Sequence, residues 1–376
     1  MVQIAIIGGG IGGLTAALAL RQSGFQADVF EQAPELLDVG AAIAIWPNAM
    51  RVLGYLSLAD EVVAEAGLMT EVRWLDQQGF LINRVSLADD SESSRFPAVA
   101  LHRADLQSTL WHALPDAALH LGKTLVNYEL QNHRVEATFA DGSVVSCDLL
   151  IGADGIHSRV RAQLIKDGDP IYRGYRVWRG IAPEISPSLP PNTAIEVHGR
   201  GRRFGIGPVG LGRLGWWATA NAEDTDDLHQ LFAGWYQPVL DLIEATPPSS
   251  ILKTLACDRE PTRTWGDGRM TLLGDAIHPT TPNLGQGGCL AIEDAAVLAK
   301  CLEKHGVSEK ALRAYERRRF RRTAALTRYS RYYGAVGQWE NLWARALRRM
   351  ALAVTPENLA RRLTQSVYEY DATSED

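Results

Sequence analysis

Four consecutive apolar residues, Ile4–Ile7, open the chain, and Leu14–Leu20 then takes up the spacing of a helix before Gly24 stops it. A second apolar stretch, Ala27–Phe30, follows at once. Strands apolar on both faces belong to parallel sheets covered by helices, so this opening predicts a βαβ unit. The same form returns twice: Leu149–Ile151 runs into Gly152-Ala-Asp-Gly155, and Met270–Leu273 ends at Gly274-Asp275. Between 119 and 151 a strand pair closes through Asp141-Gly142, a favourable hairpin turn. The intervening stretches are different. Residues 72–85 alternate in strand fashion, and Tyr175–Ile181, Ala194–His198, Arg203–Ile206 and Leu214–Thr219 read as short strands separated by Gly and Pro. Leu228, Leu231, Trp235, Val239 and Leu242 recur at helical spacing and predict one helix over 227–245. From Cys289 to about 367 the chain reads as helical, with Pro356 marking a break. The pattern predicts an α/β fold in which residues 1–71, 98–171 and 269–335 form one discontinuous Rossmann-type domain. Residues 72–97 and 172–268 form a sheet domain inserted into it, and 336–376 form a C-terminal helical segment.

The first turn carries candidate chemistry. Gly8, Gly10 and Gly13 give G-x-G-x-x-G, with Gly12 beside them, and Glu31 falls 18 residues after Gly13. The first glycine allows a tight turn, the second lets the backbone approach a pyrophosphate, and the third lets helix pack on strand. The helix start directs N–H groups and the positive dipole end at that pyrophosphate. A carboxylate at Glu31 can accept both ribose hydroxyls of an adenosine and repels a 2′-phosphate, so the bound dinucleotide is FAD or NAD rather than NADP.

Composition narrows the rest. A net charge of −6 argues against a nucleic-acid partner. Cys147, Cys257, Cys289 and Cys301 show no C-x-x-C pair or metal-type spacing, and read as reduced thiols of a cytoplasmic protein without a metal centre. No run approaches 18 apolar residues, so no membrane span is expected, and the first apolar run is a nucleotide-binding strand rather than a signal peptide.

Taken together, the three strand–turn blocks resemble the class A flavoprotein monooxygenases, the single-component aromatic hydroxylases of the para-hydroxybenzoate hydroxylase type, over roughly residues 1–335. Gly8-x-Gly10-x-x-Gly13 with Glu31 matches that family's first FAD motif. Asp154-Gly155-x-x-Ser158-x-x-Arg161 matches the second, and Gly274-Asp275 through Pro282 the third. Gly40 to Asn48 and Gly285-Gln286-Gly287-Gly288-Cys289 to Asp294 are similar to the urate hydroxylase, zeaxanthin epoxidase and 3-hydroxybenzoate 6-hydroxylase branch. The resemblance implies a GR2-like FAD-binding domain with an inserted β-sheet substrate domain. It implies NADPH or NADH as electron donor, O2 as co-substrate, and transfer of one oxygen atom from a flavin C4a-hydroperoxide to a planar aromatic or conjugated small molecule. The alternative is an FAD reductase or dehydrogenase of the same fold without oxygen transfer. A monomer or homodimer is expected.

The resemblance also distributes roles. Asp275 holds the ribityl hydroxyls, or else is a turn aspartate. The side-chain-poor Gly285–Gly288 stretch lets a flat ring lie on backbone at a helix start. Arg103 pairs with the FAD pyrophosphate, and Gln32, Ala44 and Leu125 fall where the family touches FAD through backbone. Asp154 and Arg161 either hold a turn or contact cofactor. Arg203 matches an arginine facing flavin and substrate, unless Arg202 and Arg203 are solvated charges; with Pro282 it forms the candidate catalytic pair. Trp217 is the candidate substrate surface, because strand alternation keeps Trp216 and Trp217 from sharing a face, while Trp178 reads equally well as core. Two departures put urate itself in doubt: Gly215 stands where the urate hydroxylase pattern has tyrosine, and Asn283 where it has aspartate. The basic run 315–322 reads as a solvated face packed by its arginine stems, and Trp339, Trp343 and Leu347 as a buried stripe or a dimer contact.

Overall fold

A computed structural model describes residues 3–35, 40–87, 96–183, 189–221 and 224–374, apart from the Leu363 side chain. Its nucleus is a five-stranded parallel sheet in the spatial order Met270–Leu272, Leu149–Gly152, Ile4–Ile7, Ala27–Phe30, Leu119–His120. The first three of these strands and Ala27–Phe30 are buried throughout, as expected of strands covered on both faces. Helices Ile11–Gln22 and Gly287–His305 pack together on this sheet, 13 of the latter's 19 residues being buried. The hairpin read at Asp141-Gly142 is present, Gly142 taking φ +81° between Arg134–Phe139 and Val144–Cys147.

The second large sheet has seven strands in the order Leu252–Asp258, Ile171–Pro183, Arg213–Asn221, Arg202–Pro208, Thr193–His198, Glu71–Asp76, Leu81–Ser86. One face packs on a core with Phe204, Trp216, Trp178 and Phe232, under helix Gln237–Ala245. The opposite face looks towards the parallel sheet. A small antiparallel sheet of Ala42–Ile45, Ala98–His102 and Gly67–Met69 lies beside both.

Three sequence expectations change. The helix expected over 227–245 is two, Leu228–Leu231 and Gln237–Ala245. Gly234 turns the chain at φ +73° and Pro238 starts the second helix, so the apolar spacing persists across a broken backbone. The basic run 315–322 is a solvated face only in part: Arg317 and Arg321 are exposed, but inside helix Glu309–Gly337 Arg319 is fully buried against Glu293 and Asp294, and Arg322 pairs with Glu293. Finally, Trp343 and Leu347 of helix Leu342–Val354 are 80% and 55% exposed, so that stripe is not buried within the chain. Among the described residues no helix is long and apolar enough to cross a membrane.

Candidate active site

Strand Ile4–Ile7 delivers the chain to Gly8, where φ is +111° and an added Cβ would lie 2.5 Å from the carbonyl oxygen of Ala153. A Cβ on Gly13 would lie 2.0 Å from the Gly8 oxygen, and one on Gly12 would meet Leu273 and Ala291. These glycines let strand, helix and the 270s segment close on one another. Gly10 is different: nothing lies within 4 Å of its would-be Cβ, because it faces a cavity. At the end of strand Ala27–Phe30, Glu31 accepts hydrogen bonds from the N–H groups of Gly9 at 2.5 Å and Ala33 at 2.9 Å, which holds its carboxylate against the glycine turn.

The cavity, about 730 Å³, runs from Gly10 and Gly12 past Arg103, Asp275 and Gly285–Gly288 to Trp217 and Val177 on the seven-stranded sheet. Asp275 is exposed to it yet ringed by protein, and this burial raises its carboxyl pKa against the lowering influence of His278 and Arg103. Arg103 opens helix Arg103–His112 and is also exposed there. Trp46, just before helix Pro47–Tyr55, lines the cavity with an indole N–H that has no partner among the described residues; a Cβ on Gly285 would come within 3.0 Å of it. The last helix, Glu357–Tyr368, closes the cavity with Thr364, Val367 and Tyr368, the tyrosine ring stacked on Trp46 at 4.0 Å. An open backbone at Gly10, a cation at Arg103, a carboxylate at Asp275 and an unused indole N–H fit the pyrophosphate, ribityl chain and heteroring of FAD.

Other sequence candidates fall into two groups. Ala44, Pro282, Gly287 and Gly288 line the cavity. Gln286 and Cys289 are buried behind that lining, Gln286 accepting from the Asn48 amide at 3.0 Å and Cys289 reaching the Ala44 carbonyl. Burial pushes the Cys289 thiol up to about 12, so it stays protonated. Glu31, Gln32 and Leu125 lie outside the lining, and the Leu125 carbonyl accepts from Arg159. Asp154 lies outside it too. Its carboxylate accepts from the Ser158 hydroxyl and the N–H groups of Arg159 and Val160, at the start of helix Arg159–Leu164. Arg161 is buried and donates to the Ala276 and Ile277 carbonyls, beside Asp275. For both residues the structure therefore displays the turn-holding arrangement.

A buried charge cluster behind Asp275 escaped the sequence reading. Asp294 accepts from His278 at 2.5 Å, Arg319 at 2.6 Å and the Gly274 N–H at 3.0 Å. Burial raises its carboxyl, but His278 and Arg319 outweigh that and the net shift is down. The cluster fixes the Gly274-Asp275 turn to helices Gly287–His305 and Glu309–Gly337. The i, i+1 acids Glu293 and Asp294 facing an arginine run were its only sequence signal.

At the sheet end, Trp217 lies on Gly205 of the neighbouring strand, where a Cβ would sit 2.1 Å from the indole. Trp216 points the other way into the core and donates to Thr246 at 2.8 Å. Arg203 shares the Trp217 face but does not line the cavity. It is fully buried, 5.3 Å from the Trp217 ring centroid and 5.6 Å from that of Tyr333, and donates to Glu196 at 3.0 Å, Asn283 at 2.5 Å and Gln338 at 3.3 Å. Arg202 faces away and pairs with Asp224, so neither arginine is a solvated charge. Asn283 donates in turn to Tyr175, Thr281 and Ser330, and Tyr333 donates to Glu196 at 2.8 Å. Burial raises the Glu196 carboxyl, yet His198, Arg203 and Tyr333 together hold it far below the usual carboxylate range. His198 is pushed down, by burial first and then by Arg348 and Arg203, against the pull of Glu196; it is therefore uncharged at neutral pH and Arg203 is the lasting counter-charge.

A family model described as "FAD binding domain" matches residues 1–177 and 212–330. The chain is 41% identical to the aurachin C monooxygenase/isomerase of Stigmatella aurantiaca over 354 residues, covering 91% of each chain. It is 37% identical to an FAD-dependent urate hydroxylase of Klebsiella pneumoniae over 326 residues, covering 84% of this chain and 85% of that one. In structure it is similar to Klebsiella pneumoniae HpxO complexed with FAD and uric acid, with a TM-score of 0.89, 33% identity, and coverage of 98% and 96%.

Proposed function

The chain belongs to the FAD-binding-domain family and is an FAD-dependent monooxygenase, and from that footing we propose that it oxygenates a planar aromatic or conjugated molecule held between Trp217 and the flavin site. One observation carries the reading: a single cavity joins the Gly10 turn, Asp275 and Gly285–Gly288 to the Trp217 wall. FAD, when bound, supplies hydride acceptance from NAD(P)H and oxygen activation. The chain's own groups do the rest. Gly10 and Arg103 receive the pyrophosphate, Glu31 the adenosine ribose and Asp275 the ribityl hydroxyls. The N-terminal end of helix Gly287–His305, with Gly287 and Gly288 on the cavity wall, would face the ring. Thr364, Val367, Tyr368 and Trp46 exclude water from the reacting face, which an oxygen-transferring site requires.

Arg203, in this reading, is a positioning residue that holds Trp217 and Asn283 rather than a group touching the substrate. We propose a substrate other than urate. Gly215 is no vacated tyrosine pocket, since a Cβ there would lie 2.4 Å from Ala42 and 2.6 Å from Val209. Residues 1–71, 98–171 and 269–335 are proposed as the cofactor domain, 72–97 and 172–268 as the substrate domain; support comes from which strands share a sheet. The test is to purify the yellow protein and follow NADH and NADPH oxidation, hydroxylated product and peroxide with aromatic acids, purines, indoles and quinolones. Stimulated oxidation with an oxygenated product meets the expectation. Oxidation with no oxygenated product from any planar compound rejects the substrate class.

A further inference from the structure

The seven-stranded sheet carries eight arginines on its described strands. Seven pair with a carboxylate: Arg73 and Arg84 with Glu71, Arg173 with Asp258, Arg176 with Asp226, Arg202 with Asp224, Arg203 with Glu196 and Arg213 with Asp105. Arg179 is the exception. Among the described residues its polar contact is a hydrogen bond from Nη1 to the Thr254 hydroxyl at 3.1 Å, and no ion pair engages it. It is half-buried and lines the cavity. Burial lowers its pKa, and the only charge opposing that shift comes from Tyr175.

Its position gives the missing charge a meaning. Arg179 stands directly across from Trp217 in the antiparallel pairing of Ile171–Pro183 with Arg213–Asn221, and across from Leu252 on its other side. Cross-strand partners project from the same face with Cβ atoms about 5 Å apart. Trp217 leans the opposite way, over Gly205, which leaves the Arg179 side of its ring open. A flat molecule that extends along the cavity wall from Trp217 towards strand Leu252–Asp258, where Thr254 holds the guanidinium, therefore meets an unneutralised cation. At its other edge lies the Arg203–Glu196–Asn283 network, whose charges satisfy one another. A half-buried guanidinium left without a counter-ion is costly unless a ligand supplies one, and its planar fork suits a carboxylate or a phenolate–carbonyl pair.

We propose that Arg179 is a substrate-specificity residue, and that the ring held at Trp217 bears a carboxylate, which Arg179 reads. This rests on the planar-substrate reading above and narrows it. The test titrates the FAD-loaded enzyme with 3-hydroxybenzoate, salicylate and 4-hydroxyquinoline-2-carboxylate, each beside its carboxamide, following the flavin absorbance change. Wild type should bind at least one acid about 10-fold or more tighter than its amide, the scale of a charge-assisted pair. In Arg179→Met the acid's Kd should rise by about that factor and the amide's should stay within about 3-fold, with FAD content and the KM for NAD(P)H unchanged. Arg179→Lys should restore part of the preference. Amides binding as tightly as acids in wild type, or an acid preference that survives Arg179→Met, overturns the proposal while leaving the planar-aromatic reading intact. A variant altered only in its NAD(P)H KM overturns it as well, since the cation would then read a nicotinamide-cofactor phosphate. No flavin response to any acid or amide rejects both.

Discussion

Replacing Arg203 with alanine separates the two roles an arginine on this strand can have. The side chain is fully buried and gives hydrogen bonds to Glu196, Asn283 and Gln338. Truncation leaves the Glu196 carboxylate inside the protein with the Tyr333 hydroxyl and a neutral His198. Breaking a buried ion pair from one side costs about 3–5 kcal/mol, and that is the expected loss in unfolding free energy at pH 8. The sign of the pH dependence follows from Glu196. In wild type its folded pKa is depressed, so the pair contributes stability above the unfolded value, near 4.3, and loses it only as pH falls through the still lower folded value. In Arg203→Ala, His198 loses one of the charges holding its pKa down while Glu196 still pulls it up, so the imidazole takes a proton as pH falls and replaces the lost counter-charge. The deficit is then largest at high pH and shrinks as pH falls and His198 gains its proton beside Glu196. Urea unfolding of the FAD-loaded proteins at pH 8, 7, 6 and 5 measures this directly. Adding Glu196→Gln to Arg203→Ala should recover about half or more of the loss, because the stranded charge is gone. Turnover should fall with it, about 10²-fold in kcat/KM, the scale of misplacing a positioned group by about 1 Å, since Asn283 and Trp217 lose their support. Wild-type stability in Arg203→Ala, or a deficit that does not change between pH 8 and 5, would refute this account of the residue.

Gly13→Ala places a Cβ 2.0 Å from the Gly8 oxygen; overpacking of this kind costs about 1–3 kcal/mol or more, and the purified protein should be pale, with a lowered Tm. Gly10→Val meets no protein atom within 4 Å at its Cβ, so it should fold normally and still fail to retain FAD; a yellow, stoichiometric Gly10→Val protein contradicts the cofactor assignment. Asp275→Ala should weaken FAD binding about 10- to 100-fold, the range for hydrogen bonds to a charged group, and increase the share of NAD(P)H consumption that ends as peroxide. Deleting residues 357–376 removes Tyr368 from its stack on Trp46, worth about 0.5–1.5 kcal/mol beyond burial, and opens the cavity, so peroxide release should again rise at unchanged NAD(P)H turnover.

The legible parts of this chain were those whose partners are close in sequence or whose pattern is one-sided. Ile4–Ile7 and Ala27–Phe30 are apolar throughout because both faces are covered, and the glycine turn between them is written in adjacent residues. The Trp216/Trp217 split followed from strand alternation alone. What stayed hidden depended on distance along the chain. The arginines at 319 and 322 looked solvated because their acids lie at 293 and 294, on another helix. Arg203 looked like a ligand-facing cation because Glu196, Asn283 and Gln338 come from three separate elements. Arg179 drew no attention, since having no counter-ion is a property of three-dimensional surroundings and leaves no local trace. Helical periodicity across Gly234 misled in the opposite direction: buried positions kept their spacing although the backbone between them turned.

The interleaved order of the parallel sheet also governs how this protein comes into being. Strand Ile4–Ile7 emerges from the ribosome first, yet its neighbour Leu149–Gly152 is made about 145 residues later, and that strand's outer neighbour, Met270–Leu272, later still. At roughly 5–20 residues per second, the first strand waits on the order of 10–30 s with one hydrogen-bonding edge unmatched, and the second waits again for nearly as long. Exposed apolar strand edges of this kind invite pairing with other chains, so nascent molecules depend on being shielded during that interval. Asp275 and Gly285–Gly288 arrive later still, followed by the cavity-closing Thr364, Val367 and Tyr368, so until then FAD would meet only the pyrophosphate and ribose end of its site. Cofactor capture is therefore a late event of biogenesis, and polypeptides released early carry the complete N-terminal glycine motif without any capacity to become coloured.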